Sequence, residues 1–174
     1  MKKLLIITAL LILSASITNL SKMKFVFPSG WKPTEKADFT KDAISYWKNV
    51  VPNRVDGDFN GDGFSDTAWF LINDTKEKYR LSVYLGDKNG GSKTIILIED
   101  SYKRTDSYNL GIGLMELGNY KTACGKGYWD CAPGEPAVLT LKNPGIDFFE
   151  FECCDSVFYW DAQKKEFKQV SISD

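Results

Sequence analysis

The segment Asp56-Gly-Asp-Phe-Asn-Gly-Asp-Gly-Phe-Ser-Asp66 places oxygen-bearing side chains at alternate positions, with glycines between them. That pattern is suited to calcium. The ion takes about six to eight hard oxygen ligands at about 2.3 to 2.6 Å, and a tight loop supplies them by turning alternate side chains inward, with glycine permitting the sharp bends. Asp58, Asn60, Asp62 and Asp66 are the expected side-chain ligands, Phe64 the expected carbonyl ligand, and Asp56 an outer carboxylate. Counting Asp58 as the first position, the twelfth is Trp69 rather than the bidentate glutamate of an EF-hand, and the following residues read as strand. The EF-hand is therefore excluded.

Other chemistry is narrowed by the absence of histidine. No Ser-His-Asp or Cys-His nucleophile system, histidine base or histidine-held hydrolytic zinc can be built. What remains is paired carboxylates, drawn from Glu116, Glu135, Asp147, Glu150 and Glu152. Glu150 and Glu152, two apart in an expected strand, fall on one face roughly 7 Å apart, a spacing within glycoside hydrolase chemistry. A solvated strand face beside buried Phe149 and Phe151 accounts for the same residues more simply. No catalytic residue is assigned, and the balance leans away from an enzyme.

All four cysteines, Cys124, Cys131, Cys153 and Cys154, lie in the last third of the chain. Adjacent Cys153 and Cys154 are awkward partners for one another, so the expected disulfide joins Cys124 to Cys131 around a glycine-rich loop. Their spacing is not a zinc-finger pattern, and without histidine such a site would need all four sulfurs. The stapled loop carries Tyr128 and Trp129, rigid aromatics of the kind that anchor protein and sugar contacts. Folding back over the disulfide is the competing role for both rings, and Trp31 in its proline turn carries the same ambiguity.

The elements that must hold these groups read as follows. A short strand is expected over 24–27 and a turn over 28–33, from its prolines and glycine. Ala43, Ile44, Trp47 and Val51 recur at helical spacing between Thr40, a suitable N-cap, and Pro52, which predicts one amphipathic helix over about 40–50 packed on a sheet. From Asp66 onward, aromatic and β-branched runs alternate with Gly, Asn, Asp and Pro clusters, predicting strands near 67–72, 80–85, 94–98, 138–141, 147–152, 156–160 and 167–172. Leu81, Val83 and Leu85 alternate with Ser82 and Tyr84 as in a half-buried strand, whereas Ala68 to Ile72 does not alternate and reads as a central strand covered on both faces, the helix being one cover. The glycine-punctuated stretch 101–136 is expected to be a long structured loop. The fold class is thus α+β: mainly antiparallel β-sheet with one packed N-terminal helix, in a single domain over 21–174.

Lys2 and Lys3 followed by the apolar stretch Leu4 to Leu13 and the small residues Ser14 to Ser16 read as a cleaved signal peptide spanning about 1–20. The apolar stretch is shorter than the roughly 20 residues that span a bilayer, and no cysteine is placed to carry a lipid, so no permanent membrane anchor is expected. The formal charge is −1, and without Lys2 and Lys3 it becomes −3, with 20 basic against 23 acidic residues. Nothing in that balance favours nucleic acid. A periplasmic or secreted monomer is expected.

The acidic loop resembles the Asp-x-Asn-Gly-Asp-Gly-x-x-Asp loop of FG-GAP and VCBS repeats, which leads into a β-strand as Asp66-Thr-Ala-Trp-Phe-Leu does here. The resemblance covers about 20 residues and implies a structural Ca2+. Those families build propellers from several copies, and Asp87-Lys-Asn-Gly-Gly91 is the one faint echo in this chain, so a full propeller is excluded. The wider layout, with Tyr120-Lys-Thr-Ala-Cys-Gly-Lys-Gly-Tyr-Trp129 and Phe158-Tyr-Trp-Asp161, is similar to small exported proteins of Gram-negative bacteria, a likeness that brings no activity with it. The expected function is a non-catalytic exported binding domain with a structural Ca2+ loop, its partner a protein or a cell-envelope saccharide. A carboxylate-dependent glycoside hydrolase and a fragment of a calcium-dependent adhesive assembly are the alternatives.

Overall fold

In the computed structural model the described residues are 25–48, 50–75, 77–101 and 109–174. The expected leader over 1–20 lies outside them. Two antiparallel sheets and a two-stranded ribbon organise the chain. In the first sheet β1 (Lys32–Pro33) and β2 (Arg54–Gly57) both pair with β3 (Asp66–Asn73), and β4 (Lys78–Gly86) and β5 (Ser92–Ser101) follow in order. The second sheet runs β11 (Glu166–Ser173), β10 (Asp155–Asp161), β9 (Gly145–Glu150), β6 (Leu110–Met115), and the ribbon pairs β7 (Gly118–Lys121) with β8 (Val138–Leu141). Every pairing is antiparallel. Among the described residues, no helix is long and apolar enough to cross a membrane.

One cluster of buried side chains draws on both sheets: Phe70, Leu81 and Val83 from the first, Ile112, Ile146 and Phe158 from the second. A smaller cluster of Leu139, Leu141, Val157, Val170 and Ile172 lies under the ribbon. Pro52 and Asn53 tie the two sheets together through their carbonyls, which accept from Ile112 N (2.8 Å) and Phe70 N (2.8 Å).

The helix is shorter than its sequence pattern suggested. It spans Lys41–Tyr46, with the Thr40 hydroxyl accepting from Ala43 N at 3.2 Å as its N-cap. Lys48 then takes a left-handed φ of 53°, which a right-handed helix cannot continue through. A turn and a half makes no layer of its own. Phe39, Ile44 and Trp47 instead patch one end of the core, and Trp47 meets the rings of Phe39, Phe149 and Phe151.

β3 is covered on both faces, as its unbroken apolar run suggested. The second cover is the N-terminal segment rather than the helix: Phe25 and Phe27 are not in a strand, and both rings pack edge-on to Trp69 (5.7 and 5.3 Å between centroids). Tyr84 receives the same two rings, so β4 is not the half-buried strand its alternation implied, and Ser82 and Tyr84 are buried along with Leu81, Val83 and Leu85. Trp31 is buried too, with the Arg80 guanidinium 4.0 Å over its ring, which removes it from any exposed contact surface.

Candidate functional site

Gly61 and Gly63 sit in the left-handed region at φ 72° and 87°, and these two bends fold the acidic loop back on itself. Three side chains then bond the loop backbone, Asn60 and Asp62 by asparagine-type turns and Asp58 by reaching across to amides four and five residues on. Asp58 accepts from Asp62 N (Oδ1, 3.1 Å) and Gly63 N (Oδ2, 2.9 Å), Asn60 Oδ1 accepts from Asp62 N (3.0 Å), and Asp62 Oδ1 accepts from Phe64 N (2.9 Å). Each of these oxygens keeps a lone pair beyond its bond. Asp58, Asn60, Asp62 and the Phe64 carbonyl are hard-oxygen donors on one small loop, four of the roughly six to eight oxygens that Ca2+ takes.

Asp66, the last expected ligand, is committed elsewhere. It is fully buried; its Oδ2 accepts from Phe59 N (2.9 Å) and Asn60 N (3.4 Å), and its Oδ1 from Gly86 N (2.9 Å). Burial pushes its pKa up to about 6 against the lowering effect of those amides. The side chain serves as a pin between the loop, the start of β3 and the end of β4. Asp56 likewise turns away from the loop, accepting from Arg54 Nη2 (2.8 Å) and Thr67 Oγ1 (2.6 Å). The set of Asp58, Asp62 and Asp66 does not converge: among the described residues, the acidic or thiol trio whose ligand atoms all lie within 4.8 Å is Glu150, Cys153 and Cys154.

The expected disulfide is present, joining Cys124 to Cys131. Its loop is fastened to β11 by Ala123 N donating to Ser171 O (2.8 Å) and Lys126 Nζ to Ile172 O (2.7 Å), and to the chain ahead of β8 by Thr122 Oγ1 donating to Pro136 O (2.7 Å). Tyr128 and Trp129 stand out from this base, 53% and 39% exposed, with centroids 6.5 Å apart. Glu135 holds the same loop, accepting from Ala132 N (3.0 Å) and Trp129 Nε1 (3.4 Å), so it is a brace rather than a free acid.

Glu150 and Glu152 do not share a strand face. β9 ends at Glu150, and Glu152 lies in the following turn at a left-handed φ of 60°. That turn forms one wall of a cleft of about 500 Å³, whose floor includes Trp47, Asp147 and Phe149. Phe149 and Phe151 line this cleft instead of being buried. Cys153 and Cys154 are free thiols, and the hydrogen bond between them, with burial and nearby acids, pushes the Cys154 thiol up to about 11. Asp147 is raised to about 6 by burial and by the charge of Asp155, and its Oδ1 is buried without a hydrogen-bond partner among the described residues. Sequence reasoning passed over Glu150, Cys153 and Cys154 as a group because the first ends a strand and the other two lie in the turn that follows, and only the fold of that turn brings them together.

Comparison with protein-family models, with curated proteins and with solved structures returns no match.

Proposed function

We propose that the chain is an exported binding domain in which the loop 58–64 holds a structural Ca2+ and the disulfide-stapled loop offers Tyr128 and Trp129 to a partner, a cell-envelope saccharide or a protein. The observation that carries this reading is the pair of exposed aromatic rings on a base braced by a disulfide, by β11 and by Glu135. A rigid base keeps the entropy cost of binding through these rings low. Asp58, Asn60, Asp62 and the Phe64 carbonyl would hold the ion, which would screen the mutual repulsion of the two carboxylates and stiffen the entry to β3. Asp66 acts there as the pin and not as a ligand.

Two measurements test it. Thermal unfolding with Ca2+ and with a chelator should show a higher midpoint with the ion, by about 3 kcal/mol of added stability at a hundredfold excess over the dissociation constant, and an Asp62→Ala variant should lose that response. Titration with soluble cell-envelope polysaccharide fragments should change tryptophan fluorescence in the native chain and not in Trp129→Ala. A calcium response with no change on adding the saccharide points to a protein partner, and loss of neither signal in the variants defeats the reading.

A further inference from the structure

We propose that Glu150, Cys153 and Cys154 form a binding site for a thiophilic divalent cation of the Zn2+ type, set in the wall of the cleft beside Asp147. Neighbouring residues in an extended strand point their side chains to opposite faces. Here the turn after β9 cancels that divergence. Cys153 N donates to Glu150 O (3.1 Å), Glu150 N to Cys154 O (2.9 Å) and Phe151 N to Asn109 O (2.7 Å), while Glu152 takes its left-handed φ. Both sulfurs and a Glu150 carboxylate oxygen end up within 4.8 Å of one another. Two sulfurs bound tetrahedrally at about 2.3 Å stand about 3.8 Å apart, so small side-chain rotations close the site without moving the backbone.

The surroundings favour a cation and leave it a place. Asp147, Glu150, Glu152 and Asp155 line the cleft, and none of its described lining residues is Lys or Arg. Asp147 lines the same cleft, and its Oδ1 is buried without a hydrogen-bond partner among the described residues, so the cleft carries an acceptor that no protein donor satisfies. Two thiolates and one carboxylate match the softer preference of Zn2+ and its neighbours, and not Ca2+, which needs six or more oxygens. Cys153 is exposed, so a fourth position is open to water or to an incoming ligand. The sequence argument against zinc assumed four sulfurs, and the turn supplies a carboxylate in their place. This site is separate from the acidic loop and does not rest on the calcium reading.

The test is Zn2+ competition against a chromophoric chelator on the full chain with the Cys124–Cys131 disulfide intact and Cys153 and Cys154 as thiols, with Co2+ as a spectroscopic substitute. The expected result is one Zn2+ per chain and a thiolate-to-cobalt charge-transfer band. Cys153→Ser and Cys154→Ser should each weaken binding by more than the roughly 10- to 100-fold that loss of an outer partner costs. Glu150→Gln, an exposed conservative change that leaves the fold intact, should weaken it about tenfold, and Asp62→Ala should leave it unchanged. The proposal is overturned if this chain binds no Zn2+, if binding survives all three cluster variants, if it is lost in Asp62→Ala instead, or if thiol counting finds Cys153 and Cys154 oxidised and unreactive in the native protein.

Discussion

The carboxylate of Asp66 accepts the backbone amide of Gly86 at 2.9 Å, joining the mouth of the acidic loop to the far end of the next strand. With Phe59 N and Asn60 N on its other oxygen, one fully buried side chain satisfies three amides at the place where loop, β3 and β4 meet. Removing it strands those donors, each at about 1 to 3 kcal/mol where water cannot reach. Asp66→Ala should therefore lower the stability measured by urea unfolding by at least about 3 kcal/mol, in chelator as well as in Ca2+. Asp62→Ala should cost little in chelator. Equal losses for the two variants that appear only with Ca2+ present would return Asp66 to the role of ligand.

The stapled loop makes a second prediction through two glycines of different kinds. A Cβ built on Gly125 would stand 1.8 Å from the carbonyl oxygen of Ala137, whereas one on Gly127 meets nothing within 4 Å. Gly127 needs glycine only for its φ of 86°. Gly127→Ala should cost about 1 kcal/mol through backbone strain. Gly125→Ala must push the segment ahead of β8 away from the disulfide and should cost several times as much, or prevent the Cys124–Cys131 bond from closing. Denaturation midpoints and a free-thiol count on both variants decide it; comparable losses would mean that the close approach to Ala137 relaxes easily.

Much of the sheet was readable because burial imposes a local pattern. The aromatic and β-branched runs that predicted strands at 80–85, 138–141 and 167–172 lie within β4, β8 and β11. The stretch 101–136 was not readable as strand, yet β6 and β7 lie in it. Its glycines suggested loop, but Gly111 is a strand residue whose Cβ would come within 2.7 Å of Pro52 and 2.9 Å of Phe149. There glycine reports the close approach of Pro52 and of the Phe149 ring on the paired strand β9, and not a turn. Phe25 and Phe27 failed in the opposite way, since a β-like composition served to cover Trp69 and Tyr84 without joining a ladder. Of the site, the disulfide and the alternating oxygens were legible from spacing. The diversion of Asp66 and the meeting of Glu150 with Cys153 and Cys154 depend on backbone amides and a left-handed residue, which spacing does not encode.

Asp147 gives the fold a dependence on pH whose sign is the reverse of ordinary acid denaturation. Burial and the charge of Asp155 hold its pKa at about 6 in the folded chain, above the ordinary 3.8. Its two cross-strand neighbours, Gly113 on β6 and Val157 on β10, carry no charge to offset this. The folded state therefore holds the proton more tightly than the unfolded state, and stability falls as pH rises from about 4 to about 6 and is level above. A shift of this size corresponds to about 3 kcal/mol, and solvent reaching the cleft reduces it to about 2. Asp147→Asn, which cannot ionise, should be more stable than the native chain by about that amount at pH 7 in the presence of a chelator, and the two should converge below pH 4. Parallel urea titrations across this range provide the check. A constant difference between the two chains at all pH values would mean that Asp147 keeps its ordinary pKa and that its orphan oxygen is reached by water.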